Sequence, residues 1–229
     1  MKEVEVILPD GSRKKLPAGA SALALLQAIG LGRGCSVVAA KVDGILVDLA
    51  TVPPPGSYVE LVAADSPLGL QILRHSTAHL MAAAVQALFP EAKFAIGPAI
   101  ENGFYYDIWL PRSLSSEDLE AIEAKMRELA AENLPFVRFE VPIEEAIALV
   151  KEQGQDFKVE ILEMIKAQGV NTELKDEADP RQGMVSFYRT GPFVDLCRGP
   201  HVPNTSWLQA FKLTHLAGAY WRGDERKPM

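Results

Sequence analysis

A chain of 229 residues, 48% of them hydrophobic, is long enough to bury a sizeable core and is more typical of two domains than of one. Its net charge of −7 argues against a general nucleic-acid-binding protein, and its two cysteines are too few for a disulfide framework, so a cytoplasmic location is expected. No stretch has the apolar core of a signal peptide or the roughly 20 apolar residues of a membrane span, so we expect no membrane association.

The first 62 residues alternate short strands with one helix. Strands are predicted over residues 3–8, 13–16, 37–42, 45–47 and 58–62, and Asp-Gly turns make two of the connections between them. Ser21 is a suitable N-cap for a helix over residues 22–29. This order predicts a β-grasp, ubiquitin-like module over residues 1–62, in which Cys35 is expected to serve packing. Residues 63–67 form the predicted linker.

A long helix is predicted from Leu68 to about Phe89, where Pro90 ends it. It carries His75 and His79, which lie four residues apart and therefore face the same way. Their neighbours are apolar, so the pair is expected to be buried and to need polar partners. Ser76 follows the first histidine where metalloproteases have glutamate, and peptidase chemistry is therefore disfavoured.

The rest of the chain mixes helices with short strands. A hairpin is predicted around Asn102-Gly103, between residues 94 and 108, and an acidic surface loop over residues 171–183. Helices are predicted over residues 115–133, 142–153 and 157–167, and strands over 136–141, 185–189 and 193–197. A final strand or short helix is predicted over residues 207–216, where His215 is expected to be structural. The mixture predicts an α+β fold.

A second polar pair, Cys197 and His201, follows the last predicted hairpin. Gly199 and Pro200 between them argue against a helix, so the pair is expected at a strand end and in the tight loop after it. Together with the two helix histidines, the pair can form a tetrahedral metal site or a metal-free hydrolytic site. The simpler alternative is core histidines and an inert buried thiol. Residues 181–229 are locally basic, so a patch there can meet phosphate.

Several motifs together resemble the N-terminal region of bacterial-type threonyl-tRNA synthetases. They are Leu8-Pro-Asp-Gly-Ser12, Pro55-Gly-Ser-Tyr-Val-Glu-Leu61, His75-Ser-Thr-Ala-His79, Ile96-Gly-Pro98, Glu101-Asn-Gly-Phe-Tyr-Tyr-Asp107, Asp195-Leu-Cys-Arg-Gly-Pro-His201 and Ala217-Gly-Ala-Tyr-Trp-Arg-Gly-Asp224. The resemblance implies a TGS domain over residues 1–62 and a larger α+β editing domain, an aminoacyl-tRNA deacylase of the threonyl/alanyl type, over residues 68–229. The end of the chain is expected to lead into a catalytic core that this sequence lacks, and the ATP and zinc of the ligase reaction belong to that core.

The resemblance also implies which residues form the editing site. The catalytic candidates are His75, Lys158, His79, Cys197 and His201, and the substrate-binding candidates are Tyr106 and Asp195. Either His75 or Lys158 can organise the attacking water, and Tyr106 is expected to contact the substrate or the terminal adenosine. Asp195 lies on a mostly apolar strand, where a carboxylate needs a cationic partner such as the α-ammonium group of the substrate.

The implied function is proofreading: hydrolysis of the ester of mischarged Ser-tRNA(Thr). Its partners would be the serine-carrying 3′ end of tRNA(Thr) and the remaining domains of the synthetase. No cofactor is expected for editing, because zinc held by all four residues His75, His79, Cys197 and His201 would have no open position. Two alternatives stay open: a zinc-dependent deacylase of the alanyl type, and a non-catalytic TGS-bearing module that binds RNA or protein.

Overall fold

The computed structural model describes residues 3–30, 36–168, 183–224 and 226. The chain divides into two compact units. Unit 1 comprises residues 1–76 with 199–203, and unit 2 comprises residues 77–198 with 204–229. The predictions for Cys35 and for nearly all of the acidic loop over residues 171–183 lie outside the described residues. Among the described residues, no helix combines the length and the apolar character needed to cross a membrane.

Unit 1 begins with two small sheets and a helix. Its elements are β1 (Glu3–Ile7), β2 (Arg13–Pro17), α1 (Ala22–Ala28), β3 (Val37–Val42), β4 (Ile45–Val47) and β5 (Val59–Ala63). β1 and β2 form an antiparallel hairpin, and β3 lies between β4 and β5, antiparallel to both. The Ser21 hydroxyl caps α1 by accepting the Ala24 N–H at 3.4 Å, as the sequence predicts. This strand and helix order is the predicted one.

The long helix α2 (Pro67–Leu88) starts in unit 1 and continues into unit 2. The Ser66 hydroxyl accepts the Gly69 N–H at 3.0 Å, and Pro67 stands at the first helical position, where its missing N–H costs nothing. A Cβ added at Gly69 would lie 2.0 Å from the Ala63 carbonyl oxygen, so only glycine fits this approach. Most of the helix after Ser76 is buried, which agrees with its apolar sequence.

Unit 2 has a three-stranded antiparallel sheet in the order β10-β11-β12. Its elements are β6 (Lys93–Phe94), β7 (Ala99–Ile100), β8 (Gly103–Phe104), β9 (Ile108–Trp109), α3 (Ser116–Ala131), β10 (Phe136–Pro142), α4 (Ile143–Glu152), α5 (Asp156–Gln168), β11 (Met184–Thr190) and β12 (Phe193–Leu196). One hydrophobic core cluster joins α4 and α5 to β11 and β12, and it includes Ile147, Ile161, Phe187 and Leu196. Helices and antiparallel strands together confirm the α+β class.

The register between β11 and β12 decides which residues of β12 face this core. Thr190 pairs with Phe193 across the turn Gly191-Pro192, and Phe187 pairs with Leu196. Because side chains alternate along a strand, Val194 and Leu196 lie on the core side. Asp195 therefore lies on the opposite face of the sheet.

Two expectations about elements are corrected. The region between residues 94 and 108 forms two pairs of two-residue strands, β6 with β9 and β7 with β8, because Gly97-Pro98 interrupts the first strand. The final element expected over residues 207–216 is wrong. Only a 3-10 turn, Thr205–Trp207, is present, and the chain then runs without regular structure to residue 219. Leu208 and Leu213 of this segment are buried, and Glu123 of α3, not a neighbouring strand, accepts the Leu213 N–H at 2.9 Å.

Candidate functional site

Four polar side chains of unit 2 form a buried group that we call the Lys158 network: His79, Tyr106, Lys158 and Asp195. None is more than 8% exposed. Lys158 Nζ lies 3.1 Å from Asp195 Oδ1 and donates to the Tyr106 hydroxyl at 3.3 Å. The Tyr106 hydroxyl donates to Asp195 Oδ2, and His79 Nε2 lies 3.9 Å from the same oxygen. The predicted candidates Lys158, Tyr106, Asp195 and His79 are thus brought together.

Two local features hold this network in place. Gln155, just before α5, accepts the Phe94 N–H at 2.8 Å and donates to the Ala92 carbonyl at 3.1 Å, which ties the start of α5 to β6. Lys158 follows in the first turn of that helix. Gly97 makes room for the Tyr106 ring, because an added Cβ would lie 2.3 Å from Tyr106 Cδ2. The Gln155 bonds fix the backbone just before Lys158, and the absence of a side chain at Gly97 leaves room for the Tyr106 ring.

Aromatic rings enclose one side of the network. The rings of Phe94 and Phe193 meet edge to face at 5.3 Å, and the Tyr106 ring meets Phe94 at 5.7 Å. His79 stands edge-on to both Tyr106 and Phe193, each at 6.2 Å. These rings keep water from that side, and a charged pair in such surroundings is stable only with both partners present. Lys158 is therefore a buried partner of Asp195 and not a lysine on a solvated helix face.

The two neighbours of Tyr106 in the sequence, Tyr105 and Asp107, are also ionisable. Burial raises the pKa of the Asp107 carboxyl above its usual value. Burial, and then the negative charge of Asp107, raise the pKa of the Tyr105 hydroxyl, although its side chain is 43% exposed. Neutral Tyr105 therefore presents an exposed aromatic ring beside the buried Tyr106.

The candidates His75 and His201 come together in unit 1. Their rings stack with centroids 4.6 Å apart and planes inclined by 16°. Ser76 Oγ lies 3.0 Å from His201 Nδ1 and accepts the Val202 N–H at 3.2 Å. Asp48, which follows β4, accepts the His201 N–H at 2.8 Å. The segment Gly199–Pro203, which we call the His201 turn, contains a cis peptide bond between Gly199 and Pro200.

Cys197 follows β12 directly and is 1% exposed. Its N–H donates to the Ser186 carbonyl at 3.1 Å, and its carbonyl accepts the Ser186 hydroxyl at 2.7 Å. The first bond continues the backbone pairing with β11 by one residue, and the second adds a bond from the Ser186 side chain. The strand end thus fixes the backbone of Cys197, as the sequence predicts.

The four residues expected to converge do so. One ligand atom from each of His75, His79, Cys197 and His201 lies within 4.8 Å of the others, and of the four only His75 is not fully buried. Imidazole nitrogen and thiolate sulfur are the donors that zinc takes, so this cluster can hold a metal ion. A tetrahedral zinc keeps such atoms about 3.3–3.6 Å apart, so the donor types fit, and a pair at the 4.8 Å limit would approach by about 1.2–1.5 Å.

Sequence reasoning missed two residues that contact the candidates. Ser76 lies between the two histidines, where its position signalled only the absence of a protease pattern. Asp48 lies 153 residues before His201, and nothing in its local sequence indicates the contact. His215, expected to be structural, is exposed rather than packed in the core, with Nδ1 2.9 Å from the Thr214 hydroxyl.

Comparison with known proteins gives consistent matches. Residues 185–229 match the family model described as the threonyl and alanyl tRNA synthetase second additional domain. The threonine–tRNA ligase of Citrifermentans bemidjiense is 52% identical over 229 residues, 100% of this chain and 34% of that protein. The threonine–tRNA ligase of Acidithiobacillus ferrooxidans is 51% identical over 225 residues, 98% of this chain and 33% of that protein. That of Clostridioides difficile is 44% identical over 226 residues, 99% of this chain and 33% of that protein.

The matches run through all the motifs on which the resemblance rests, and not only through the segment that the family model covers. The chain spans about a third of the length of the relatives it matches. The chain therefore corresponds over its whole length to an N-terminal region of the threonine–tRNA ligases, as its motifs predict.

Proposed function

We propose that this chain is the proofreading part of a threonyl-tRNA synthetase and hydrolyses the ester of Ser-tRNA(Thr) in the cytoplasm. The observation that carries the proposal is the cluster of His75, His79, Cys197 and His201, which unites two polar pairs from distant parts of the sequence. The similarity of the whole chain to part of the threonine–tRNA ligases supports the substrate class. The other domains of the synthetase and the 3′ end of tRNA(Thr) are the proposed partners.

The chemical need for such a site follows from the size of the substrates. Serine lacks only the methyl group that distinguishes threonine, and one methyl is worth about 1–3 kcal/mol, or roughly 10–200-fold, in a binding pocket. Binding alone therefore discriminates too weakly. A second pocket that hydrolyses the seryl ester and excludes the extra methyl supplies the remaining factor.

The geometry supports a division of roles. A lysine ammonium group has three donors and no acceptor, so Lys158 is suited to orienting water or the ester carbonyl oxygen and not to taking a proton. A neutral imidazole has one acceptor nitrogen, and His75 is the only half-buried member of the cluster. We therefore assign His75 to the attacking water. His79, Cys197 and His201 shape the pocket wall.

Substrate binding would use Asp195 and Tyr106. Both carboxylate oxygens of Asp195 already have donors, Lys158 at Oδ1 and Tyr106 at Oδ2, but each oxygen has a further lone pair. The α-ammonium group of serine would share this carboxylate with Lys158. Tyr106 links the two charged groups and would contact the substrate or the terminal adenosine.

A zinc-dependent deacylase is the second candidate, because the donor set of the cluster fits zinc. His75, His79, Cys197 and His201 would hold the ion, which would lower the pKa of a bound water. Four protein ligands leave no open position for that water unless one of them withdraws. Elemental analysis and deacylation assays after chelation distinguish this candidate from the metal-independent one.

The test is deacylation of Ser-tRNA(Thr) and Thr-tRNA(Thr) by the 229-residue chain. We expect rapid hydrolysis of the seryl ester, and in His75→Ala a fall in rate of roughly 10²-fold or more, as for loss of a positioned proton-transfer group. His215→Ala is the matched control, because this fourth histidine is exposed and outside the cluster.

Three outcomes would contradict the proposal. Equal rates for the two esters would remove the selectivity. An unchanged rate in His75→Ala, with circular dichroism also unchanged, would remove the assigned role of His75. Binding of tRNA without hydrolysis would favour the non-catalytic interaction module.

A further inference from the structure

The His201 turn is supported by residues from the beginning of the chain. Residues 199–203 group with residues 1–76 in unit 1, and not with β12, which precedes them. The connection is made through the backbone: the His201 N–H donates to Asp48 Oδ1 at 2.8 Å. His201 is 1% exposed, and a buried N–H without an acceptor is costly. Asp48 thus supplies an acceptor to a turn that has no regular structure.

Asp48 is itself held firmly by its own neighbours. Its carbonyl accepts the Thr51 N–H at 3.0 Å, which closes a turn directly after β4. The next residue, Leu49, is 1% exposed, and its carbonyl accepts the Leu23 N–H at 2.8 Å at the start of α1. The carboxylate therefore extends from a rigid backbone. A rigid acceptor fixes the position of its donor more closely than a mobile one.

The contacts of His201 act on three different parts of the residue. Asp48 fixes the backbone amide, Ser76 Oγ meets ring atom Nδ1, and the His75 ring stacks on its face. Rotation about the side-chain bonds is limited by the last two contacts, whereas the first limits translation of the backbone at His201 itself. The Ser76 hydroxyl holds the next backbone N–H, that of Val202, at 3.2 Å. Loss of Asp48 would remove the acceptor of the His201 N–H and leave the turn supported by the contacts of Ser76 and His75, so its backbone would be free to shift at His201.

We propose that Asp48 is a positioning residue for the candidate site, acting through the His201 turn. This inference rests on the proposed function, since His201 is assigned to the editing pocket. It gives the N-terminal β-grasp-like region a defined task in hydrolysis: its β4 turn sets the place of a histidine 153 residues later in the chain. Asp48 itself touches neither substrate nor the attacking water.

The test compares Asp48→Ala with Asp48→Asn. Asparagine retains a carbonyl oxygen that can accept the His201 N–H, whereas alanine does not. We expect Asp48→Ala to lower kcat for Ser-tRNA(Thr) by about 10- to 100-fold, the effect of displacing a reacting geometry by about 1 Å, with KM nearly unchanged. Asp48→Asn should retain most of the rate. Amide exchange of His201, followed by NMR, should accelerate in Asp48→Ala and stay slow in Asp48→Asn.

Asp43→Ala is the matched control. Asp43 Oδ1 also accepts a backbone N–H at 2.8 Å, that of Tyr58, within the same region but away from the His201 turn. Asp43 has a positive φ of 50°, so its replacement should cost at least as much stability. We expect lower stability in Asp43→Ala with kcat unchanged. An equal loss of kcat in both alanine variants would reduce Asp48 to a general structural role and overturn the proposal.

The amide measurement separates this proposal from the proposed function. If the wild-type chain leaves Ser-tRNA(Thr) intact, the proposed function fails, and His201 exchange, which requires no substrate, still decides whether Asp48 anchors the turn. If the wild type is active and Asp48→Ala alters neither kcat nor His201 exchange, the anchoring proposal fails while the function stands.

Discussion

At the scale of single residues, the Lys158 network depends on Gly97, because a residue with a side chain would not fit at that position. The Tyr106 ring lies against Gly97 so closely that an added Cβ would lie 2.3 Å from Cδ2 and 2.4 Å from Cε2. The ring cannot retreat freely, because Phe94 stands edge-on to it at 5.7 Å. The hydroxyl that bridges Lys158 and Asp195 is therefore placed by the absence of a side chain at position 97.

The change Gly97→Ala should displace the Tyr106 ring and break its bond to Asp195. We expect a loss of about 1–3 kcal/mol in the free energy of unfolding, the usual cost of overpacking, together with slower deacylation. Urea unfolding and the Ser-tRNA(Thr) assay measure the two effects. Gly103→Ala is the control, since a Cβ added there meets nothing within 4 Å. A Gly97→Ala variant as stable and active as Gly103→Ala would show that the close contact is unimportant.

At the scale of elements, α5 is held on the side away from Lys158 by a short 3-10 turn, Trp221–Gly223. The Trp221 indole N–H donates to Glu160 at 2.8 Å, and its ring lies 4.8 Å from that of Phe157. Arg222 Nη1 lies 3.0 Å from Met164 Sδ. Phe157, Glu160 and Met164 are three and four residues apart and so form one stripe of the helix. The turn contacts the helix along this stripe, and Lys158 lies on the same helix.

Removal of the acceptor from this stripe should loosen α5. Glu160→Ala leaves the indole N–H of the 3% exposed Trp221 without its acceptor, and we expect a loss of about 1–3 kcal/mol in unfolding free energy. Glu160→Gln retains an acceptor oxygen and should lose less. Glu163→Ala, which removes an exposed partner of Lys151, should change stability by at most about 1 kcal/mol. Equal stability of the alanine and glutamine variants at position 160 would argue against the indole bond.

At the scale of the whole molecule, one carboxylate links α3 to the irregular segment that replaces the expected last element. Glu123 accepts hydrogen bonds from Arg127, from the Leu213 N–H and from Lys212, and these lower its pKa from 4.5 to about 2. A carboxyl group whose pKa is lowered by folding stabilises the protein above the unfolded value. That contribution is lost as the pH falls from about 4.5 towards 2.

The change Glu123→Gln should therefore alter the acid branch of the stability curve. We expect the wild type to be more stable than the variant at pH 7, with the difference shrinking as the pH falls below about 4.5 and nearly gone by about pH 2. Urea unfolding at a series of pH values measures it. Glu128→Gln, which changes an exposed partner of Lys125 on the same helix, is the control. A pH-independent difference between wild type and Glu123→Gln would contradict the assigned cause.

The sequence predicts well those features that interactions between neighbouring residues determine. Ser21 and Pro90 mark helix ends because caps and missing N–H groups act on neighbouring residues. The convergence of His75 with Cys197 was predictable from spacing and family motifs. The contact between Asp48 and His201 was not, because it joins a turn of the N-terminal region to a loop far along the chain. The prediction for residues 207–216 was wrong for a similar reason. Buried residues of this irregular segment pack beside α3, and their spacing in the sequence resembles the alternation of a strand.

The turn Gly191-Pro192 contacts no proposed substrate, yet its length determines the chemistry that β12 can support. Thr190 pairs with Phe193 across it, and the alternation that follows places Asp195 on one face and Leu196 on the other. Inserting or deleting one residue in this turn would exchange the faces of those two side chains. A carboxylate would then enter the apolar core while leucine met Lys158. Point substitutions in the turn act locally, but a change in its length would remove the negative charge from the network in a single step.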